Sequence, residues 1–481
     1  MKPRGALALV LHSHMPYVEG FGTWPFGEEW LWEAMATVYL PLLELLGDAP
    51  VTVGLTPVLC DQLELLPGEP GRRYLAFLRD VRAGIHAEDS HGLDVGGGHE
   101  LAAEVRRAAG DYVAAAERFE GLQGDLLGAF AALERPELWT SSATHAVLPL
   151  LATDAGRRLQ IAAGIASHER RFGGFGGGFW LPECAYEPGL ERDLHEHGVR
   201  AFCVDQTAPF GHGAPEQLEP VATPAGPVAV PIDWQTVELV WSEQSGYPVH
   251  GSYRDYWGRT THDLRPWSNA GRPYRHPEAG ELAREHARDF VERAIRRLDG
   301  YAELRGRPGL LTCALDAELL GHWWYEGQAW LRCVLDEAAA GGLDLVTISE
   351  GLQRVPPVER ELHASTWGTG KDLSTWDSPA VAEIAWRLRD GELRTVCAAA
   401  GGHEPQQALE RAARELLALQ SSDWAFQVTR DLAADYPLRR LREHGDGLDA
   451  SLAALTDSSP VPDPALRGLA PDLDLAPLVA P

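Results

Sequence analysis

The sequence predicts an α/β fold: a parallel sheet or barrel followed by a helical C-terminal domain. Three observations predict it. Short apolar runs rich in β-branched and aromatic residues recur between residues 6 and 348, long helical patterns separate several of them, and strand signals stop near residue 360. In order, the runs are "ALALVL" 6–11, "VTVGL" 51–55, "FWL" 179–181, "AFCV" 201–204, "VAVPI" 228–232, "LLTCAL" 310–315 and "LVTI" 345–348. Strands buried on both faces read as continuous apolar runs, and alternation with helices favours parallel pairing. Uneven spacing implies long insertions. Residues 99–134, rich in Ala, Leu, Glu and Arg, read as one or two amphipathic helices inside one. From "EPQQALERAARELLALQ" onward the pattern is helical, and the Pro-rich stretch 457–481 is expected to be loosely ordered.

A chain of 481 residues has room for a large core and more than one domain. Its formal net charge of −28 argues against nucleic acid and anionic membrane as partners, because both select basic faces. Cys60, Cys184, Cys203, Cys313, Cys333 and Cys397 form no C-x-x-C pair and read as reduced thiols, not a disulfide frame. "ALALVL" is short for a signal segment and runs into His12, and no apolar run is long enough to span a bilayer. The expected location is the cytoplasm. Cations are almost all Arg, with Lys only at 2 and 371.

Functional residues of a (β/α) barrel gather where strands end at its C-terminal face. Here "ALALVL" ends in His12-Ser13-His14, "FWLP" in Glu183, "AFCV" in Asp205-Gln206, and "LLTCAL" in Asp316-Ala317-Glu318. One polar strand end is commonly structural; four convergent ones suggest a site. Glu183 and Asp316 supply the two carboxyls that glycosyl transfer needs, one to attack the anomeric carbon and one to protonate the leaving oxygen. The acid needs burial or a negative neighbour to keep its proton near neutral pH. Trp (16) outnumbers Phe (12) and Tyr (12) and clusters beside the polar ends, as in "HWWYEG". Flat apolar rings with an N–H at the rim suit a sugar. His12-x-His14 also permits a metal-dependent reading, with His145 or His322 as further ligands. Lys2 and Lys371 are badly placed to bridge two metals, and hydrogen bonding to sugar hydroxyls or carboxylates is the simpler role for the histidines. The expectation is no metal and no cofactor.

The residues resemble glycoside hydrolase family 57, and within it the branching group of actinobacterial type. The resemblance rests on "LVLHSHMPYV" 9–18, "WPFGEEWLWEA" 24–34, "TVGLTPVL" 52–59, "SSATHAVLPLL" 141–151, "GGFWLPECAY" 177–186, "LDAELLGHWWYEG" 315–327, "STWGTGKD" 365–372 and "ARELLALQSSDWAF" 413–426. It implies a distorted, TIM-like (β/α)7 barrel with a C-terminal helical domain, and retaining chemistry on α-glucans without a cofactor. Carried across, Glu183 becomes the nucleophile and Asp316 the general acid/base. His12, His14, Trp24, Trp30, His145, His322 and Trp323 would line the substrate site. Trp267, Trp367, Trp376 and Trp386 would border the acceptor groove. Tyr247 would be the tyrosine of a lid loop, about 241–262, that screens the intermediate from water. Two features depart from the family pattern: Ala317 stands where Thr is usual, and "WDSPAVAEIAW" 376–386 differs.

The expected organisation is a catalytic barrel over 1–360 with a helical insertion at about 60–136, a helical domain over 361–456, and a flexible tail over 457–481. The expected activity is 1,4-α-glucan branching on amylose, a glycogen-like glucan or a methylglucose-containing polysaccharide, by a monomer or small homo-oligomer. Alternatives are a 4-α-glucanotransferase or α-amylase of the same family, a metal-dependent deacetylase or amidohydrolase, and a glucan-binding protein without catalysis.

Overall fold

The computed structural model describes residues 4–402, 405–456 and 459–480; Lys2 and tail residues 457–458 and 481 lie outside it. Among the described residues ten strands form one sheet: β1 (Gly5–Ser13), β2 (Thr52–Leu55), β3 (Glu137–Ser141), β4 (Gly178–Trp180), β5 (Ala201–Val204), β6 (Val221–Ala222), β7 (Val228–Pro231), β8 (Gly309–Asp316), β9 (Leu345–Val346) and β10 (Val358–Glu359). The order is β10-β6-β7-β5-β4-β3-β2-β1-β8, with β9 beside β1. From β7 through to β8, seven strands run parallel to their neighbours. Just past β7, the Asp233 N–H donates to the Thr312 carbonyl of β8 at 2.8 Å and brings the two ends of the run together. The chain is a (β/α)7 barrel with a helical C-terminal region.

One strand assignment is corrected. "LVTI" contributes only the two-residue β9, and the remaining barrel strand is β3, "ELWTS". It carries no apolar run because its first residue works at the barrel floor. The Glu137 carboxylate accepts from Trp139 Nε1 at 2.9 Å and from the Ser349 N–H at 3.0 Å, at the start of the helix Ile348–Arg354.

Period-2 alternation decides what faces the barrel axis. Along β1, Ala6, Ala8 and Val10 join the interior cluster, whereas Leu7, Leu9 and Leu11 join the cluster that packs against helices. Along β8, Leu310 and Ala314 face inward, while Leu311, Cys313 and Leu315 face the helices. Continuing each rhythm by two residues puts His12 and Asp316 on the inward face. They are register partners across the β1–β8 pair.

The insertion folds as helices between Pro57 and Ala131, including His99–Gly121 and Leu126–Ala131. The 30-residue helix His276–Arg305 packs on Gly327–Gly341, with Val291 and Ile295 facing Gly341, and buries Ala279, Ala283, Ala287 and Ala294. The C-terminal region contains the helices Ala382–Ala400, Gln406–Leu419, Ser422–Thr429 and Tyr436–Ala453. The tail departs from expectation: its described part is docked, with Leu466, Leu469 and Leu478 buried. The Gly468 N–H donates to Tyr17 Oη and the Ala470 N–H to Asp61 Oδ2, both at 2.8 Å. Burial of spaced leucines, together with backbone donors given to buried acceptors, outweighs the loss of chain entropy that proline content alone leads one to expect.

Candidate active site

The C-terminal ends of β1, β4 and β8 open into a cleft of about 1210 Å³. Glu183 lies there on a strained turn. Pro182 ends the extended run, and Glu183 takes the left-handed conformation at φ 61°, ψ 19°. A non-glycine residue in this region costs on the order of 1 kcal/mol or more and persists only where its surroundings fix it. Here they do. The Cys184 N–H bonds the Leu181 carbonyl, the Ala185 N–H bonds that of Pro182, and the Trp367 N–H bonds that of Glu183, each at 2.9 Å. Tyr186 and Ser365 pair in an antiparallel bridge.

The Glu183 carboxylate takes two further hydrogen bonds. Trp367 Nε1 donates to Oε2 and Ser422 Oγ donates to Oε1, both at 2.9 Å. Burial raises its pKa, and these two donors oppose the rise by favouring the anion. Asp316 differs. Burial, reinforced by the negative charges of Glu318 and Glu183, holds its carboxyl well above the usual carboxylate range, with no hydrogen bond from the described residues to offset it. The two carboxyls therefore feel one another, but only Glu183 is supported as an anion. Glu318 is pushed up to about 7 by burial, against the Tyr39 hydroxyl that donates to it at 2.6 Å.

Three histidines fill the floor. His12 Nε2 and His145 Nε2 share a hydrogen bond at 3.0 Å, and burial keeps both rings well below the ordinary histidine range. The absence of a side chain on Gly54 makes room for His12: a Cβ there would stand 3.3 Å from His12 Nδ1. His14 stacks on His145 at 4.0 Å and pairs through Nε2 with Asp423 Oδ2 at 2.9 Å. Burial alone would lower His14, but Asp423, with Glu318 and Glu183, raises it. Asp423 responds in kind: burial pushes it up, and His14 pulls it below the usual value.

The cleft lining brings together His12, His14, Trp24, Trp30, His145, Glu183, Asp316, His322, Trp323, Trp367 and Trp376. Trp24 and Trp323 are 65% and 46% exposed, open enough to stack on a ligand. Three expected residues are absent from the lining. Tyr247 is buried, its ring stacked on His286 at 4.5 Å and its hydroxyl donating to Asp289 at 2.8 Å, so the helix His276–Arg305 claims it. From the same loop, Tyr256 and Trp257 reach the cleft instead. Trp267 is held in a bridge with Pro273, and its neighbours Arg265 and Pro266 take the lining position. Trp386 is 70% exposed on Ala382–Ala400, two residues past the buried Ile384 and hence on the opposite helical face. Sequence reading missed Ser422 and Asp423. Both lie in "QSSDW", where an ordinary helix start hid two groups aimed at barrel residues 239 and 409 positions upstream.

A barrel with paired carboxyls of opposed environment at the mouth of a tryptophan-walled cleft defines a glycoside-processing enzyme. Its family model, glycosyl hydrolase family 57, matches residues 8–363. The chain belongs to glycosyl hydrolase family 57. A second model, the C-terminal domain of 1,4-alpha-glucan branching enzyme, matches residues 392–470. A 1,4-alpha-glucan branching enzyme of Thermococcus kodakarensis is 33% identical, the match covering 92% of this chain and 72% of that protein. A probable 1,4-alpha-glucan branching enzyme of Mycobacterium tuberculosis is 34% identical over 92% of this chain and 90% of its own. The crystal structure of a branching enzyme of this family from Pyrococcus horikoshii superposes with a TM-score of 0.90 at 29% identity, covering 99% of this chain and 97% of that one.

Proposed function

We propose that the protein is a retaining 1,4-α-glucan branching enzyme, which cleaves an α-1,4 bond and rejoins the chain to a 6-hydroxyl as an α-1,6 branch. The observation that carries the reading is the split environment of the two carboxyls: among the described residues, Glu183 receives two side-chain donors and Asp316 none. A proton shared between them rests on Asp316. Asp316 gives it to the glycosidic oxygen as Glu183 attacks the anomeric carbon, which yields a glycosyl ester. Asp316, now an anion, takes the proton of the incoming 6-hydroxyl, whose oxygen displaces Glu183.

Water competes at the second step, and a branching outcome needs the cleft closed over the intermediate. Tyr256 and Trp257, from the loop expected to act as a lid, line the cleft and suit that role. His12, His14, His145, Trp24 and Trp30 are read as donor-side contacts, and Trp323, Trp367 and Trp376 as acceptor-side ones. The names of the relatives support an α-glucan as substrate. Among the described residues no helix is long and apolar enough to cross a membrane, and the proposed setting is the cytoplasm. Residues 1–360 are read as the catalytic unit and 361–456 as a helical domain that completes its site.

The test is linkage analysis of the products from amylose. New α-1,6 bonds with little reducing-end release support branching. Mostly reducing ends would indicate an amylase, and longer linear chains a 4-α-glucanotransferase.

A further inference from the structure

A chain that writes nearly every cation as Arg keeps a Lys at 371. In the segment 365–372, Ser365 and Thr366 are buried and Trp367 packs on the interior cluster, but the turn that follows, Thr369–Lys371, has no buried residue, and Gly370 is at φ 83°. The Lys371 side chain nevertheless folds inward. Its Nζ lies 2.8 Å from Asp205 Oδ2 at the end of β5, and Asp205 is fully buried. The same Nζ donates to the Trp367 carbonyl at 3.3 Å and sits over the Trp234 ring, 2.8 Å from its centroid. Trp367 is thereby held at both ends of its peptide unit. Its carbonyl is on Lys371, and its N–H is on the Glu183 carbonyl. Its indole N–H is then the donor to the Glu183 carboxylate.

We infer that Lys371 and Asp205 are positioning residues for Glu183: the ion pair anchors the Trp367 loop to the barrel so that the indole N–H stays on the carboxylate. The inference rests on the reading of Glu183 as nucleophile. A compact ammonium can meet a carboxylate, a carbonyl and a ring face together. A guanidinium would have to meet the same three partners with a larger planar group, its donors at the edge and the ring against its face. Without the anchor, the Trp367 carbonyl and the glycine-containing turn after it lose their tie to the barrel, and small misplacements at a reacting centre are costly in rate.

The test separates positioning from stability. Lys371→Met leaves Asp205 as a buried, unpaired carboxylate and lowers the Tm of the full chain. The double variant Lys371→Met with Asp205→Asn removes that charge and recovers most of the Tm. The expected result is that kcat on amylose stays about tenfold or more below wild type in the double variant, with KM little changed and the acidic limb of the kcat/KM profile moved to higher pH. Trp367→Phe, which removes the indole donor together with part of the ring, moves that limb in the same direction. A double variant with wild-type kcat and an unmoved acidic limb overturns the inference. Glu183→Gln in the same assay guards the underlying reading. Its inactivity beside an unaffected double variant sinks the anchor alone, and its full activity sinks the nucleophile assignment.

Discussion

At Glu183 a single side chain concentrates strain, burial and two hydrogen bonds, and each leaves a measurable trace. Glu183→Gln and Asp316→Asn keep similar volume, so both variants should retain the wild-type circular dichroism and Tm while turnover falls by about a thousandfold or more. Substantial turnover in either variant removes its assignment. The proposed reaction needs Glu183 ionised and Asp316 protonated, and both are raised, Asp316 the more strongly. The rate should therefore climb as pH rises through the Glu183 pKa and fall as it passes that of Asp316. Ser422→Ala removes one donor from the Glu183 anion, so the acidic limb should move to higher pH while the alkaline limb stays in place. A pH–rate series on the purified variant checks this. Glu183 and Asp316 were legible because they break apolar runs at strand ends. Ser422 was not: a serine at a helix start is ordinary in sequence, and its target is 239 residues away.

Among the elements, β4 sets the stage for Glu183, and its packing tolerates little. A Cβ on Gly178 would stand 2.0 Å from Trp139 Nε1 in the fully buried ring of β3. Gly178→Ala should destabilise the protein by about 3 kcal/mol through overpacking, seen as a lowered Tm. An unchanged Tm would mean that β3 and β4 part more easily than their contact implies. Most strands announced themselves as apolar runs, but β3 did not, because Glu137 spends its charge on the barrel floor. Helix faces were similarly mute. Trp386 and Tyr247 were expected at the cleft by motif, but helical phase turns one to solvent, and an Asp on a neighbouring helix draws the other into the core.

Across the whole molecule, the barrel cannot make its site alone. Ser422 and Asp423, which hold Glu183 and His14, belong to the C-terminal helices, so a chain ending before them should lose turnover even where it folds. Removing residues 459–480 takes away the buried Leu466, Leu469 and Leu478, uncovers the apolar surface they pack against, and leaves the Asp61 carboxyl without its Ala470 donor. The shortened protein should melt well below the full chain in calorimetry, by several kcal/mol at about 1.5–3 kcal/mol per leucine; equal melting would make the docking inconsequential. The sequence by itself determined the barrel class, the helical C-terminal region and the two carboxyls, because apolar periodicity and polar strand ends are local signals. Tertiary structure alone decided which tryptophans face the cleft, that the tail is packed, and which of the two acids is supported as an anion. Those outcomes depend on solvent exclusion and on donors brought from distant parts of the chain, and neither is written in any single stretch of it.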